Sequence, residues 1–135
     1  MTIINYSKKG ETPFQKLLGY NNEIMSQWTK LSEVLEKDGY LSQDLKEEMR
    51  RMLAQENGCK YCKAKGKPRR HLIDDKAMIC IGFIEVYLKV GINIPNYIIE
   101  ELKSNLTEEE ISELLAFITF TTCQQYFGAL MKLEG

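Results

Sequence analysis

A chain of 135 residues, 44% hydrophobic and 27% charged, has the composition of one ordinary globular domain, long enough for a core and short enough to gain from a partner subunit. A formal net charge of −1 argues against nucleic acid as a partner, because phosphate binding needs a basic excess. No apolar run approaches the roughly 20 residues of a membrane span, and Met1 to Tyr6 lacks the regions of a signal peptide, so a cytoplasmic protein without membrane association is expected.

The pattern predicts helix throughout, an all-α single domain over 1–135, with no period-2 strand run. Residues 1–12 are polar and irregular and read as an arm. A first helix starts at Thr12-Pro13, with proline at a position where its missing N–H costs nothing, and Gly19 with Asn21-Asn22 interrupts it. A second helix, from about Asn22 to Lys37, carries Ile24, Trp28, Leu31 and Leu35 on one apolar face and ends at Asp38-Gly39. Ser42 caps a third helix, with Asp44, Glu47 and Glu48 near its positive end and Leu45, Met49, Met52 and Leu53 as its apolar stripe. Asn57-Gly58 stops it in a left-handed cap.

A short helix then begins at or near Cys59, weakened by Gly66 and broken by Pro68. Asp74 or Asp75 caps a long helix that ends at Gly91, and a short one follows the Ile94-Pro95-Asn96 turn to about Lys103. Thr107 and Glu110 form a capping box for a last helix reaching about Leu133. This helix and the one before Gly91 are apolar on more than one side. Helices of that kind bury several faces, which predicts a homo-oligomer.

Four cysteines in a reducing cytosol do not suggest a structural disulfide framework. Cys80 and Cys123, set among apolar neighbours, are expected in the core. Cys59 and Cys62 differ, forming a C-x-x-C pair among lysines. A thiol at a helix N-terminus has its thiolate stabilised by backbone N–H groups, and its partner can resolve a mixed disulfide. The βαβ setting of thioredoxin is absent. A metal knuckle would need two further ligands, and His71 and Cys80 do not repeat a zinc-type spacing, so no metal or cofactor is assigned. The competing reading is a non-enzymatic oligomeric binding module whose cysteines are a knuckle or a vestige.

The run Asn57-Gly58-Cys59-Lys60-Tyr61-Cys62, preceded by a helix with an early glutamate and followed by two long apolar helices, the second opened by Leu106-Thr107-Glu108-Glu109-Glu110-Ile111, resembles the carboxymuconolactone decarboxylase-like superfamily. Its C-x-x-C branch, alkyl hydroperoxidase D, is the nearer likeness, over residues 40–135. The resemblance implies an oligomeric helical bundle, a trimer or hexamer. It also implies an oxidoreductase whose cysteine pair reduces a peroxide or a peroxidase partner and is recharged by a lipoyl or thioredoxin-type donor. Lactone decarboxylation is disfavoured, since that branch does not rely on a cysteine pair.

The family glutamate twelve residues before the first cysteine corresponds to Glu47, with an implied role in proton relay; Glu48 is the alternative if the apolar stripe faces the site. The family histidine four residues after the second cysteine is replaced by Gly66, and His71 is the candidate substitute. The candidate catalytic residues are therefore Cys59, Cys62, Glu47 and His71. Six of the eighteen basic residues lie between Lys60 and Arg70, readable as a solvated face or as an anion site that also favours the thiolate.

Overall fold

A computed structural model describes residues 1–68 and 74–135; His71 and the basic residues Arg69 and Arg70 lie outside the described residues. The described residues form helices without strands: α1 (Pro13–Leu18), α2 (Asn22–Glu36), α3 (Gln43–Glu56), α4 (Lys60–Lys63), α5 (Asp75–Val90), α6 (Asn96–Asn105) and α7 (Glu108–Leu130). The starts follow local chemistry. Side chains of Thr12, Asn21, Ser42, Asp74 and Thr107 each accept a hydrogen bond from a first-turn N–H of the helix they open. Thr12 with Gln15, and Thr107 with Glu110, complete capping boxes.

The core is the meeting of α3, α5 and α7, with α6 laid over α5. Leu45, Met49 and Leu53 of α3 interlock with Ala77, Cys80, Phe83 and Ile84 of α5 and Leu114, Phe117 and Ile118 of α7. Each large side chain so buried contributes about 1.5–3 kcal/mol. A buried ion pair ties the α2–α3 turn to α7. Lys46, only 2% exposed, donates to the Lys37 carbonyl at 2.7 Å and lies 3.2 Å from the Glu113 carboxylate, which also accepts the Leu41 N–H at 2.8 Å.

Residues 1–12 contain no helix but are tied down. The Ile3 N–H donates to the Met131 carbonyl at 3.1 Å, the Ser7 N–H to Lys16 at 3.0 Å, and the Tyr20 hydroxyl to Asn5 at 2.6 Å. The last helix ends three residues before the expected Leu133. Lys132 takes a left-handed φ of 57°, its N–H reaches the Ala129 carbonyl at 3.1 Å, and the Leu133 N–H reaches Gly128 at 3.0 Å. Those two bonds are a Schellman closure, and they return Leu133 to the interior.

Two apolar faces stand open. No residue of α2 is fully buried, and Ile24, Leu31 and Val34 are exposed. Cys123 corrects the expectation of a core cysteine: it is exposed, in a shallow groove with Ile24, Trp28, Leu31 and Phe120. Its neighbours in sequence are apolar, but helical spacing places it with Thr119, Tyr126 and Leu130 on the outer side of α7, and all four are exposed. Cys80 is core as expected, and burial, reinforced by the nearby Glu110 charge, pushes its thiol up to about 12. No helix among the described residues is long and apolar enough to cross a membrane.

Candidate active site

The cysteine pair sits where α3 turns into α4. Gly58 takes φ +76°, a conformation that suits glycine, and reverses the chain so that Cys59 becomes the N-cap of α4. The Cys59 sulfur accepts the Cys62 N–H at 3.2 Å, and the two sulfurs are joined as a disulfide across a Cα–Cα distance of 5.2 Å. The two cysteines are not equivalent. Cys59 is 1% exposed and packs with Ala54 against α7, whereas Cys62 is 8% exposed and forms part of a cavity wall.

That cavity, about 280 Å³, lies between α1, α2, α4 and α7. Its apolar wall is aromatic. Phe14 of α1 contacts Phe127 at 5.2 Å, Trp28 at 6.1 Å and Tyr61 at 6.4 Å between ring centroids, the last pair stacked. The Trp28 indole N–H donates to Gln124 at 3.0 Å. The polar wall carries Thr29, Ser32, Glu33, Glu36, Arg50, Lys65, Thr121 and Gln125. A second cavity of about 200 Å³ shares Glu36, Arg50 and Lys65 with the first and adds Gln43, Lys46 and Glu47.

Arg50 and Gln125 hold the turn in place, and neither stood out in the sequence. The Arg50 guanidinium donates to the Cys62 carbonyl at 3.0 Å and to the Glu47 carboxylate at 2.6 Å. Gln125, fully enclosed on α7, donates to the Arg50 carbonyl at 3.2 Å and accepts from Asn57 at 2.8 Å. One amide thereby links the middle of α3 to the Asn-Gly turn that ends it. Behind the disulfide stands Gly128, where a Cβ would fall 2.6 Å from the Cys59 sulfur.

Glu47 reaches Cys62 only through Arg50. Its carboxylate is partly exposed, and Arg51 also donates to it, at 3.4 Å. Glu48 is fully buried. His71 falls outside the described residues, so its distance from the thiols is not defined. Gly66, where the resemblance would place a histidine, has φ +133°, and a Cβ there would lie 3.2 Å from the Arg51 guanidinium carbon, so this backbone does not admit a side chain without strain.

The described part of the basic run is divided in its contacts. Lys60 pairs with Glu134 at 3.6 Å, Lys63 is exposed, and Lys65 turns into the cavity with its ammonium 5.0 Å from the Tyr61 ring centroid. Lys65 and Glu36 keep solvent access at the cavity mouth, yet its walls displace their ionisation towards each other. Desolvation lowers Lys65, and the Arg50 charge adds to this. Desolvation raises Glu36, against the pull of Lys65. No group of three or more His, Cys, Asp or Glu among the described residues is arranged to hold a metal ion.

Chemically, the arrangement sets one cysteine of the pair at the cavity wall and encloses the other more fully. A thiolate in the cavity meets Cys62 first. The sulfur it would displace, that of Cys59, already accepts the Cys62 N–H. Comparison with protein family models, with curated proteins and with solved structures finds no match to this chain.

Proposed function

We propose that this protein is a thiol–disulfide oxidoreductase working through Cys59 and Cys62, on a helical bundle of the alkyl hydroperoxidase D type. The observation that carries the reading is the asymmetry of the pair: Cys62, at the wall of a cavity, is bonded to the more enclosed Cys59, whose sulfur accepts the Cys62 N–H.

In the reducing half-reaction a donor thiolate RS⁻ attacks the Cys62 sulfur. The RS–S(Cys62) bond forms, the Cys59–Cys62 bond breaks, and Cys59 leaves as a thiolate favoured by the Cys62 N–H. A second donor thiol releases RSSR, and the pair emerges as a dithiol. In the oxidising half-reaction the Cys62 thiolate attacks a peroxide, giving the sulfenic acid and an alcohol. Cys59 then closes the disulfide with loss of water. A disulfide substrate is reduced in the same sense, without the sulfenic acid. A lipoyl or thioredoxin-type dithiol serves as donor, and a peroxide or a peroxidase partner as acceptor.

The open apolar faces of α2 and α7 support assembly into a homo-oligomer, a trimer or hexamer in the resemblance, acting in the cytosol. The test is turnover of reduced protein with hydrogen peroxide or 2-hydroxyethyl disulfide. Cys59→Ser and Cys62→Ser should each abolish steady-state turnover; equal turnover by either variant refutes the reading.

A further inference from the structure

We propose that Lys65, backed by Glu36, is the group that takes up and returns the proton of Cys62. The inference rests on the thiol–disulfide reading above and gives these two residues a role in it.

The geometry comes first. Lys65 lies three residues after Cys62, with its N–H on the Cys62 carbonyl at 3.3 Å, and both residues line the same cavity. The Lys65 ammonium stands over the ring of Tyr61, another lining residue, 5.0 Å from its centroid. The other charged groups around Lys65 are Glu33 and Glu36 from α2 and Glu47 and Arg50 from α3; α7 contributes the neutral Thr121, Gln124 and Gln125. Arg50 is committed to Glu47 and to the Cys62 carbonyl, which leaves Lys65 as the second cation of the cavity wall, with Glu36 the carboxylate whose charge acts on it most. Desolvation makes Lys65 easier to deprotonate and Glu36 easier to protonate, the directions that suit a lysine base and a glutamate reserve.

The steps balance with a low-molecular-weight disulfide RSSR as oxidant. Neutral Lys65 takes the Cys62 thiol proton and becomes an ammonium beside the thiolate. The thiolate attacks one sulfur of RSSR, the Cys62–SR bond forms, the RS–SR bond breaks, and the departing RS⁻ receives the Lys65 proton. Cys59 then attacks the Cys62 sulfur, closing the protein disulfide. The second RS⁻ leaves and takes up the proton that Cys59 released to solvent. Two thiols have become one disulfide, and RSSR has become two RSH.

The experiment measures the rate of iodoacetamide labelling at Cys62 against pH on the reduced full-length protein, located by peptide mass spectrometry. Alongside it, the pH profile of 2-hydroxyethyl disulfide reduction is recorded. A cation beside a thiol favours its thiolate, so Lys65→Met should move the Cys62 labelling midpoint up by about one pH unit, about a tenfold loss of thiolate near neutrality. Lys65→Arg should return that midpoint towards wild type. Because arginine does not release its proton, this variant should lose the alkaline limb of the reduction profile. Glu36→Gln removes an anion that holds the Lys65 proton, so the alkaline limb should move to lower pH.

Coincident labelling midpoints for wild type and Lys65→Met, or identical behaviour of the arginine and methionine variants, overturn the inference. Should Lys65→Met fail to fold, the opposite readouts of Lys65→Arg and Glu36→Gln still decide it, since a purely structural lysine would move neither limb. Cys62→Ser tests the underlying reading separately: continued disulfide reduction by that variant removes the oxidoreductase assignment, whereas coincident midpoints with Cys62-dependent turnover remove only Lys65.

Discussion

Gly128 of α7 faces the sulfur of Cys59 so closely that a methyl group on it would lie 2.6 Å from Sγ. The sulfur is fixed by its bond to Cys62 and by the Cys62 N–H, so it cannot swing aside as a flexible chain end would. Gly128 also offers its carbonyl to Leu133 at the closure of α7. Gly128→Ala should therefore cost about 1–3 kcal/mol in denaturant unfolding. It should also speed reduction of the pair by dithiothreitol, because the displaced turn loses the packing that shields Cys59. An unchanged midpoint and unchanged reduction rate would show that the helix is free to retreat.

The four thiols should label in an order set by placement. With reduced protein and iodoacetamide, exposed Cys123 and cavity-facing Cys62 react first and enclosed Cys59 later. Cys80, enclosed in the core with its thiol pushed up to about 12, should label last. Time-resolved peptide mass spectrometry measures the order. Faster labelling of Cys59 than of Cys62 would reverse the assignment of the attacking sulfur.

The Lys46–Glu113 pair gives a stability test with a definite sign. Glu113→Gln leaves a buried ammonium without its counter-charge and should cost about 3–5 kcal/mol in urea unfolding, where an exposed pair would cost under about 1. Burial acts to raise the Glu113 carboxyl, but the hydrogen bonds from Leu41 and Lys46 outweigh it and hold it below the usual carboxylate range. A depressed acid stabilises the fold fully above its unfolded value and loses that contribution as pH falls through its folded value. Wild-type stability should thus decline as pH falls below the ordinary glutamate range. Glu113→Gln should flatten that part of the profile.

Trp28, the one tryptophan in the chain, shares the cavity wall with Cys62. Its emission should change when the pair is reduced, and the change should vanish in Cys62→Ser. Stopped-flow fluorescence with dithiothreitol follows this directly. Phe14→Ala removes the ring that contacts Trp28, Tyr61 and Phe127, so it should cost about 3 kcal/mol or less, its side chain being only partly buried. It should also raise access of the thiols to iodoacetamide.

Local chemistry alone determined the helices and their starts. Thr12, Asn21, Ser42, Asp74 and Thr107 act within three or four residues of themselves, and Asn57-Gly58 with Pro68 confines α4 to a single turn. For the same reason, the pairing of Cys59 with Cys62 across one helical turn was legible in the spacing. The tertiary structure decided which cysteine is the more enclosed, because that depends on α7 closing over Cys59 at Gly128, about seventy residues away along the chain. It decided Arg50 and Gln125, whose bonds join separate helices, and it placed Cys123 outside, since an all-round apolar helix carries no sequence mark of its inner face. It also turned Lys65 out of a uniform basic run and into the cavity with Glu36, a meeting of α2 with the end of α4 that no local rule specifies.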